Sequence, residues 1–275
     1  MDLNLENKYA LICASSKGLG FSVAEALAAE GANIIINSRS DENLYIAKKK
    51  LMKITNENKI TCLCADLSKL DGVKIVLEFI NTKFQKLDIL VNNSGGPKTG
   101  NFDNLDLIDF DEAIENNLKN FIYLTNEIIP MMKKNNWGRI VNICSSSLKQ
   151  PIDNLMLSNI TRAGLAGYVK TISNQYAVNN IMINNVLPGR IITDRIKEIA
   201  SKNLKDGESI QDRIDSMGKD IPIKRLGSPS EFGPMVAFLC SDKASYITGN
   251  SIQIDGGLIK GLFLEINIYG ENNEF

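Results

Sequence analysis

The chain has 275 residues, and 44% of them are hydrophobic, which is enough to bury one large core and typical of one α/β domain. Lys and Arg number 31 against 32 Asp and Glu, so the net charge of −1 provides no field that would attract nucleic acid or an acidic membrane surface. The absence of histidine excludes Ser-His and Cys-His nucleophiles, imidazole acid–base chemistry and histidine-ligated metals.

Short apolar runs alternate with longer amphipathic stretches from Tyr9 onward. The runs predict seven strands: Tyr9–Cys13, Asn33–Asn37, Ile60–Ala65, Leu87–Val91, Arg139–Cys144, Ile181–Leu187 and Ser251–Ile254. Amphipathic helices between parallel strands cover both faces of a sheet. The pattern therefore predicts an α/β fold, a doubly wound parallel sheet of seven strands with helices on both faces, as a single domain over residues 1–275.

Two segments depart from this alternation. Residues 194–229 are more polar and contain several glycines, and we expect them to form a mobile flap over the site, with an ordinary surface excursion as the alternative. The tail 258–275 begins apolar and ends polar, so its first half is expected to pack on a neighbour while its end frays.

Cysteine usage and the N-terminus bear on location. The five cysteines are scattered without a disulfide or CxxC pattern, which favours a reducing cytoplasm. Cys62 and Cys64 share one face of a predicted strand, and we expect core positions there rather than a metal site; no metal is predicted. The first residues are acidic where a signal peptide is basic, and no apolar stretch approaches the ~20 residues of a span, so no membrane partner is expected.

The first predicted strand leads directly into a glycine-containing turn, Ala14 to Gly20, followed by the helical pattern Phe21–Glu30. Gly18 and Gly20 would let the backbone approach a pyrophosphate, whose charge is met by the free N–H groups of the helix N-terminus. Tight turns also use glycine for steric reasons alone. The order of strand, turn and helix favours a dinucleotide site.

The end of the second strand bears on cofactor choice. An NAD-selective fold places a carboxylate there for the ribose 2′-hydroxyl, but this chain has Arg39. Arg39 and Lys17 would form a cationic fork for a 2′-phosphate, so NADP(H) is preferred and NAD(H) is the alternative. Both are otherwise solvated charges, and Asp41 and Glu42 would weaken a phosphate site unless they simply begin the next helix.

Further motifs follow the glycine turn in order. They are Asp66 after the third strand, Asn92-Asn93-Ser94-Gly95, Asn117, Ser145, Pro188-Gly189 with Ile191 and Thr193, and Asp255-Gly256-Gly257. Together with the turn, this series resembles the short-chain dehydrogenase/reductase family over nearly the whole chain, particularly its 3-oxoacyl-acyl-carrier-protein reductase branch. The resemblance implies a Rossmann-type fold and an NAD(P)-dependent enzyme that acts on CH–OH groups.

The resemblance also implies which residues hold the cofactor. Three pairs would flank the adenine, the adenosine ribose and the nicotinamide carboxamide, in that order: Asp66 with Leu67, Asn93 with Gly95, and Ile191 with Thr193. The full predicted set is Ala14, Ser16, Lys17, Gly18, Leu19, Gly20, Ser38, Arg39, Asp66, Leu67, Asn93, Gly95, Arg162, Pro188, Gly189, Ile191 and Thr193. Ala14 replaces the family's first glycine, which is tolerable if its φ is negative.

The family's Tyr-xxx-Lys pair is replaced. Counting 13 residues on from Ser145 reaches Ser158, and four more reach Arg162, so both project from one helix face. An aliphatic hydroxyl is much less acidic than a phenol, and a guanidinium is effectively always protonated. Ser158 is therefore a poor proton donor, Arg162 still binds the nicotinamide ribose, and Tyr168 and Tyr176 are expected to be packing residues.

The predicted catalytic residues are Asn117, Ser145, Ser158 and Arg162. The favoured function is an NADP(H)-dependent oxidoreductase that reduces a ketone, such as a 3-oxoacyl thioester, or oxidises a secondary alcohol, with the proton arriving through water. The alternatives are a catalytically silent dinucleotide-binding regulatory or scaffold protein, and a different chemistry such as dehydration or isomerisation, which no residue singles out.

Two expectations concern partners. Arg190 and Arg195 border residues 194–229 and would either attract an anionic substrate or remain solvated. Family resemblance implies a homotetramer, or a homodimer, in which the helices Phe110–Lys134 and Leu155–Val178 pair across a two-fold axis. The sequence itself shows only that these helices are amphipathic.

Overall fold

A computed structural model describes residues 1–202, 204–205 and 207–261 of the chain. Its strands are β1 Tyr9–Ile12, β2 Asn33–Ser38, β3 Ile60–Cys64, β4 Ile89–Asn92, β5 Gly138–Ile143, β6 Ile181–Pro188 and β7 Ser251–Ile254. They form one sheet in the order β3-β2-β1-β4-β5-β6-β7, and every neighbouring pair is parallel. The chain crosses from one half of the sheet to the other between β3 and β4. The connections that follow β1 and β4 therefore lead to helices on opposite faces and leave between them the crevice in which such sheets bind ligands.

Helices cover both faces. They are α1 Gly18–Ala29, α2 Asp41–Leu51, α3 Leu70–Lys83, α4 Leu107–Ile114, α5 Asn120–Lys134, α6 Met156–Tyr176, α7 Asp194–Lys202, α8 Ile210–Gly218 and α9 Pro229–Leu239. One apolar cluster joins the sheet to α1, α2 and α9, and a second joins it to α3, α5 and α6. The predicted fold class, a single domain with seven parallel strands and helices on both faces, is confirmed.

The predicted boundaries need small corrections. Each predicted strand boundary lies within two residues of the observed one, and Ser251–Ile254 agrees at both ends. The helix predicted at Phe110–Lys134 is continuous but contains a π-helical turn, Glu115–Lys119, between α4 and α5. Such a turn inserts an extra residue into the helix and is frequent at functional sites. It contains Asn117.

The core assignment of Cys62 and Cys64 is wrong, because both are exposed. They alternate with buried Leu63 along β3, as the two-residue period of a strand requires. Since β3 is at the edge of the sheet, the face that bears the two thiols is incompletely covered. The apolar run indicated the strand correctly, but its position in the sheet decided the burial.

Residues 194–229 contain α7 and α8 and have a small core of their own, formed by Ala200, Ile214, Ile221 and Leu226. Leu258, at the start of the predicted tail, packs against this core. Residues 262–275, the rest of that tail, lie outside the described residues. In the part of the chain that the structure describes, no helix combines the length and apolarity needed to cross a membrane.

Candidate active and cofactor site

The turn between β1 and α1 is built around its glycines. Gly18 has a φ of +62°, and a Cβ on Gly20 would lie 2.5 Å from the Ala14 carbonyl oxygen and 2.7 Å from Asn93 Nδ2. Asn93 Nδ2 donates to the carbonyls of Cys13 and Ala14, at 3.3 and 3.1 Å, and so ties the turn to the end of β4. Lys17 is the N-cap residue of α1, and its side chain makes no capping hydrogen bond. The first N–H groups of α1 are therefore available for an anion.

Ala14 has a φ of +45°, so the negative φ expected for an alanine at this position is not observed. Its N–H donates to Asn37 Oδ1 at 3.3 Å, and Asn37 Nδ2 is anchored to the carbonyls of Leu63 and Ala65. The turn therefore keeps the backbone shape that suits glycine. The left-handed conformation costs a non-glycine residue roughly 1–2 kcal/mol.

The residues predicted for a 2′-phosphate follow the ends of the neighbouring strands β1 and β2. Arg39 and Lys17 are exposed, and Ser16 Oγ donates to Ser38 Oγ at 3.1 Å. Asp41 and Glu42 form the first turn of α2, which Ser40 caps by accepting from the backbone N–H of Asn43. The acids thus begin a helix, and carboxylates stabilise that end of a helix.

Asp66 and Leu67 follow β3. Asp66 Oδ1 accepts the backbone N–H of Ser68 at 3.0 Å. Burial by itself would raise the pKa of Asp66, but hydrogen bonds from Ser68 and the positive charges of Arg39 and Lys69 outweigh it and lower the pKa. The Leu67 carbonyl accepts from Asn120 Nδ2 at 2.9 Å, which fixes this loop to α5.

The loop after β6 reaches the glycine turn. The N–H of Gly189 donates to the carbonyl of Ile254 at 2.9 Å. Ile191 is buried and forms a β-bridge with Gly227. Thr193 Cγ2 lies 3.8 Å from the position that a Cβ on Gly18 would occupy. These contacts bring the predicted carboxamide residues beside the turn. Pro188, the last residue of β6, pairs with Ile254 in the sheet.

Arg190 and Arg195 have different environments. Arg190 is half-buried, and its Nη1 donates to the carbonyl of Met217 at 2.6 Å. Arg195, on α7, is exposed, and its guanidinium lies against Gly96, just after the motif that ends β4.

The reaction centre contains a buried polar cluster around Asn117, which is 2% exposed. Asn117 Oδ1 accepts from Ser94 Oγ at 3.1 Å and from Arg162 Nη2 at 3.2 Å. Arg162 is 4% exposed, its guanidinium carbon lies 5.7 Å from the ring centroid of Phe121, and its Nε and Nη1 have no hydrogen-bond partner. Burial lowers the pKa of Arg162, and the charge of Arg195 lowers it further, with Cys144 acting in the opposite direction.

Two hydroxyls form a second buried pair next to the predicted catalytic serine. Ser147 Oγ and Ser158 Oγ are 3.2 Å apart, and both residues are buried. Ser145 Oγ accepts the backbone N–H of Ser147 at 3.1 Å, so its hydroxyl hydrogen is available to another acceptor. Sequence reasoning missed Ser147 and Ser94 as members of the site. The available signals were the run of three serines from Ser145 and the hydroxyl directly after Asn93.

The tyrosines of α6 lie outside this cluster. Tyr168 OH donates to Asn126 Oδ1 on α5 at 2.6 Å, and burial raises the pKa of its phenol. Tyr176 packs against the same apolar cluster as Tyr168. Their assignment as packing residues agrees with the structure, and neither phenol substitutes for the missing one.

Comparison with known proteins agrees with this architecture. A family model described as enoyl-(acyl carrier protein) reductase matches residues 13–259. The chain is 31% identical to the NADPH-dependent reductase BacG of Bacillus subtilis (strain 168), over 94% of this chain and 100% of BacG. It is 34% identical to the 3-oxoacyl-[acyl-carrier-protein] reductase FabG of Aquifex aeolicus (strain VF5), over 94% of this chain and 100% of FabG.

A solved structure is also similar to this fold. The L-sorbose reductase of Gluconobacter frateurii, solved in complex with NADPH and L-sorbose, has a TM-score of 0.91 and 30% identity over 95% of this chain and 100% of its own. The family model covers well over half of the chain. The chain therefore belongs to the short-chain dehydrogenase/reductase family.

Proposed function

We propose that the chain is an NADPH-dependent reductase that converts a ketone to a secondary alcohol, or catalyses the reverse oxidation, with a 3-oxoacyl thioester as one candidate substrate. The observation that carries the proposal is the link from Asn93, which closes the glycine turn, through its neighbour Ser94 to the buried cluster of Asn117 and Arg162. Cofactor turn and polar cluster are thus adjacent. The relatives named as NADPH-dependent, or solved with NADPH, support this cofactor.

The residues of the turn fit a dinucleotide. Gly20 leaves no room for a side chain, and no atom lies within 4 Å of the position of a Cβ on Gly95, so open space adjoins the turn. The α1 N-terminus would hold the pyrophosphate, and Arg39 with Lys17 the 2′-phosphate. When bound, NADPH would supply the hydride for the carbonyl carbon.

The chain's own groups supply the rest of the reaction. Ser145 Oγ, free to donate, holds the carbonyl oxygen, and the Arg162 guanidinium stabilises negative charge that develops there. The proton that completes the alcohol comes from bulk solvent and is relayed to the alkoxide through a water held by the Ser147–Ser158 pair, because no aliphatic hydroxyl of the pair is acidic enough to replace a phenol. Loss of a positioned general acid costs about 10²–10⁴-fold, so we expect slow turnover.

The test separates binding from turnover. Purified protein is titrated with NADPH and NADH, and cofactor oxidation is then followed with a panel of ketones and 3-oxoacyl thioesters. We expect tighter binding of NADPH than of NADH, a preference that Arg39→Gln reduces, and slow oxidation with at least one ketone, which Ser145→Ala reduces. Turnover unchanged by Ser145→Ala would contradict the assigned role.

The Ser147–Ser158 bond favours a second candidate, a catalytically silent dinucleotide-binding regulatory or scaffold protein. Each hydroxyl already has a protein partner, so the pair also fits a purely structural role. Binding of NADPH without turnover of any carbonyl would favour this candidate. Failure of both cofactors to bind would exclude both proposals.

We also propose a cytoplasmic homotetramer or homodimer paired through α4, α5 and α6. Large apolar side chains on this side of the molecule support it, since Phe102 and Leu107 are each 81% exposed and Ile160 is 45% exposed. Light scattering coupled to gel filtration tests the assembly. A monomer at micromolar concentration would contradict it.

A further inference from the structure

In the part of the chain that the structure describes, the proposed reaction centre contains a buried cation with no acidic side chain bonded to it. Arg162 is 4% exposed, and its contacts are the neutral Oδ1 of Asn117 and the ring face of Phe121. Within the described residues, Arg162 forms no salt bridge, and its Nε and Nη1 lack any hydrogen-bond partner. A buried charge is normally paired, and each unsatisfied buried donor is costly. Among the described residues, Arg162 therefore has no anionic partner, and two of its N–H-bearing nitrogens remain for the oxygen of a ligand.

A second cation borders the same space. The Arg195 guanidinium lies against Gly96, and its charge is close enough to oppose that of Arg162. Glu198, on the same helix, is close enough for the charge of Arg195 to lower its pKa, but it already accepts from Lys202 Nζ at 2.7 Å, and Lys17 lowers its pKa as well. Two guanidinium groups thus lie close enough for their charges to interact, and Glu198 is already engaged by Lys202.

The cofactor does not supply the missing anion. Its pyrophosphate belongs at the N-terminus of α1 and its 2′-phosphate near Arg39, whereas Arg162 lies on α6 among Asn117 and Ser94. Ribose hydroxyls would satisfy N–H groups of Arg162 but would leave its charge unpaired. The charge that develops on the ketone oxygen is transient, so an anionic group of the substrate is the remaining lasting partner of opposite charge.

We infer that the substrate carries a carboxylate close to its ketone, and that this carboxylate binds between Arg162 and Arg195 while the ketone oxygen lies at Ser145. The inference rests on the proposed reductase function and names its substrate class, a short oxo acid. Planar guanidinium groups match the two oxygens of a carboxylate. Because Nε and Nη1 of Arg162 are shielded, the guanidinium has to turn from Phe121 toward the ligand, which also provides its unsatisfied donors with partners.

The test compares pairs that differ only in charge. NADPH oxidation by the full chain is measured with acetoacetate against methyl acetoacetate, and with pyruvate against methyl pyruvate. We expect the acids to have the higher kcat/KM by about 10- to 100-fold, the range that hydrogen bonds to charged groups provide. Arg195→Gln and Arg162→Lys should reduce this preference to about threefold or less. Lys197→Gln, which removes an exposed cation from the same helix, should leave it unchanged.

A binding measurement makes the result independent of turnover. Malonate, a carboxylate that cannot be reduced, should raise the thermal midpoint of the NADP⁺-loaded wild type and of Lys197→Gln above that in sodium chloride of equal ionic strength. Malonate should have little effect on the thermal midpoint of Arg195→Gln. Because Arg195 is exposed, this comparison does not require a substitution at the buried Arg162.

The outcomes separate the two proposals. Esters that react as well as acids, with no response to malonate, would overturn the carboxylate inference and leave the reductase proposal intact. If no carbonyl is reduced but malonate stabilises the wild type and not Arg195→Gln, the anion site stands and the reductase proposal fails. If Arg162→Lys weakens NADPH binding without affecting the acid preference, Arg162 is a ribose ligand and the inference is wrong.

Discussion

The Arg162 guanidinium, on α6, donates from Nη2 to Asn117 Oδ1 at 3.2 Å, inside the π-helical turn between α4 and α5. The extra residue of the π turn presents Asn117 toward the interior, where its one oxygen accepts from both Arg162 and Ser94. One neutral side chain therefore holds a buried charge in place. Stability and the shape of the reaction centre both depend on it.

Replacing Asn117 by Leu, which has a similar volume, should reduce the free energy of unfolding by about 1–3 kcal/mol, because it leaves a charged buried donor unsatisfied. Urea denaturation measures the change. Ser94→Ala is the matched control, since it removes the other donor to Asn117 Oδ1 and keeps the bond from Arg162. Equal stability of Asn117→Leu and the wild type would show that the bond contributes nothing.

Ala14→Gly should stabilise the chain. The φ of +45° costs alanine roughly 1–2 kcal/mol, and the greater freedom of glycine in the unfolded state takes back about 0.5–1 kcal/mol. We expect a net gain of about 0.5–1 kcal/mol in denaturant unfolding. The control Ala29→Gly, at the exposed end of α1, should lose about 0.5–1 kcal/mol instead. A loss at Ala14 as well would argue against backbone strain in the turn.

Gly20→Ala should abolish cofactor binding, because its Cβ would lie 2.5 Å from the Ala14 carbonyl and force the turn open. Fluorescence titration with NADPH measures the loss. Gly167→Ala adds the same methyl group on α6, where no atom lies within 4 Å, and should bind normally and gain up to about 1 kcal/mol in stability. Tight NADPH binding by Gly20→Ala would exclude this turn as the pyrophosphate site.

The double variant Ser158→Tyr with Arg162→Lys introduces the pair that the family resemblance implies. If Ser158 and Arg162 occupy those positions, a phenol supplied beside the carbonyl should raise kcat for a neutral ketone by about 10²–10⁴-fold, the value of a positioned general acid. Single-turnover oxidation of bound NADPH is the measurement. Its control is Tyr168→Phe, which removes a phenol bonded to Asn126 outside the cluster and should leave the rate unchanged.

Thiol labelling should distinguish the two exposed cysteines from the three buried ones. Cys62 and Cys64 are exposed, whereas burial raises the pKa of Cys13 and of Cys240 to about 12 and that of Cys144 to about 11. Burial also raises the pKa of Cys62 and of Cys64, so at pH 8 a smaller fraction of each is thiolate than in a free thiol. Native protein should react with two equivalents of an aromatic disulfide reagent, measured by the thiol that the reagent releases. The labelling rate should be lower than that of glutathione and should keep rising above pH 9. Fast labelling of all five would contradict the burial.

Local pattern determined the fold and the position of the cofactor turn. The two-residue period of strands, the helical period and the glycines between β1 and α1 are properties of neighbouring residues, so the sequence itself predicted seven parallel strands and the turn that Asn93 closes. Strand ends differed by a residue or two because hydrogen bonds to neighbouring strands, rather than side-chain character, end a strand. Asp41 and Glu42 were also recognisable from local pattern, because acidic residues favour the first turn of a helix.

Tertiary structure alone decided which partners the polar side chains have. Cys62 and Cys64 are exposed because β3 is an edge strand, and Arg190 binds the carbonyl of Met217, which is 27 residues away in the chain. The Ser147–Ser158 pair and the Arg162–Asn117 bond join segments separated by 11 and 45 residues. Such contacts depend on how helices and loops pack across the sheet. A local sequence pattern describes only neighbouring residues and therefore does not predict which distant residues meet.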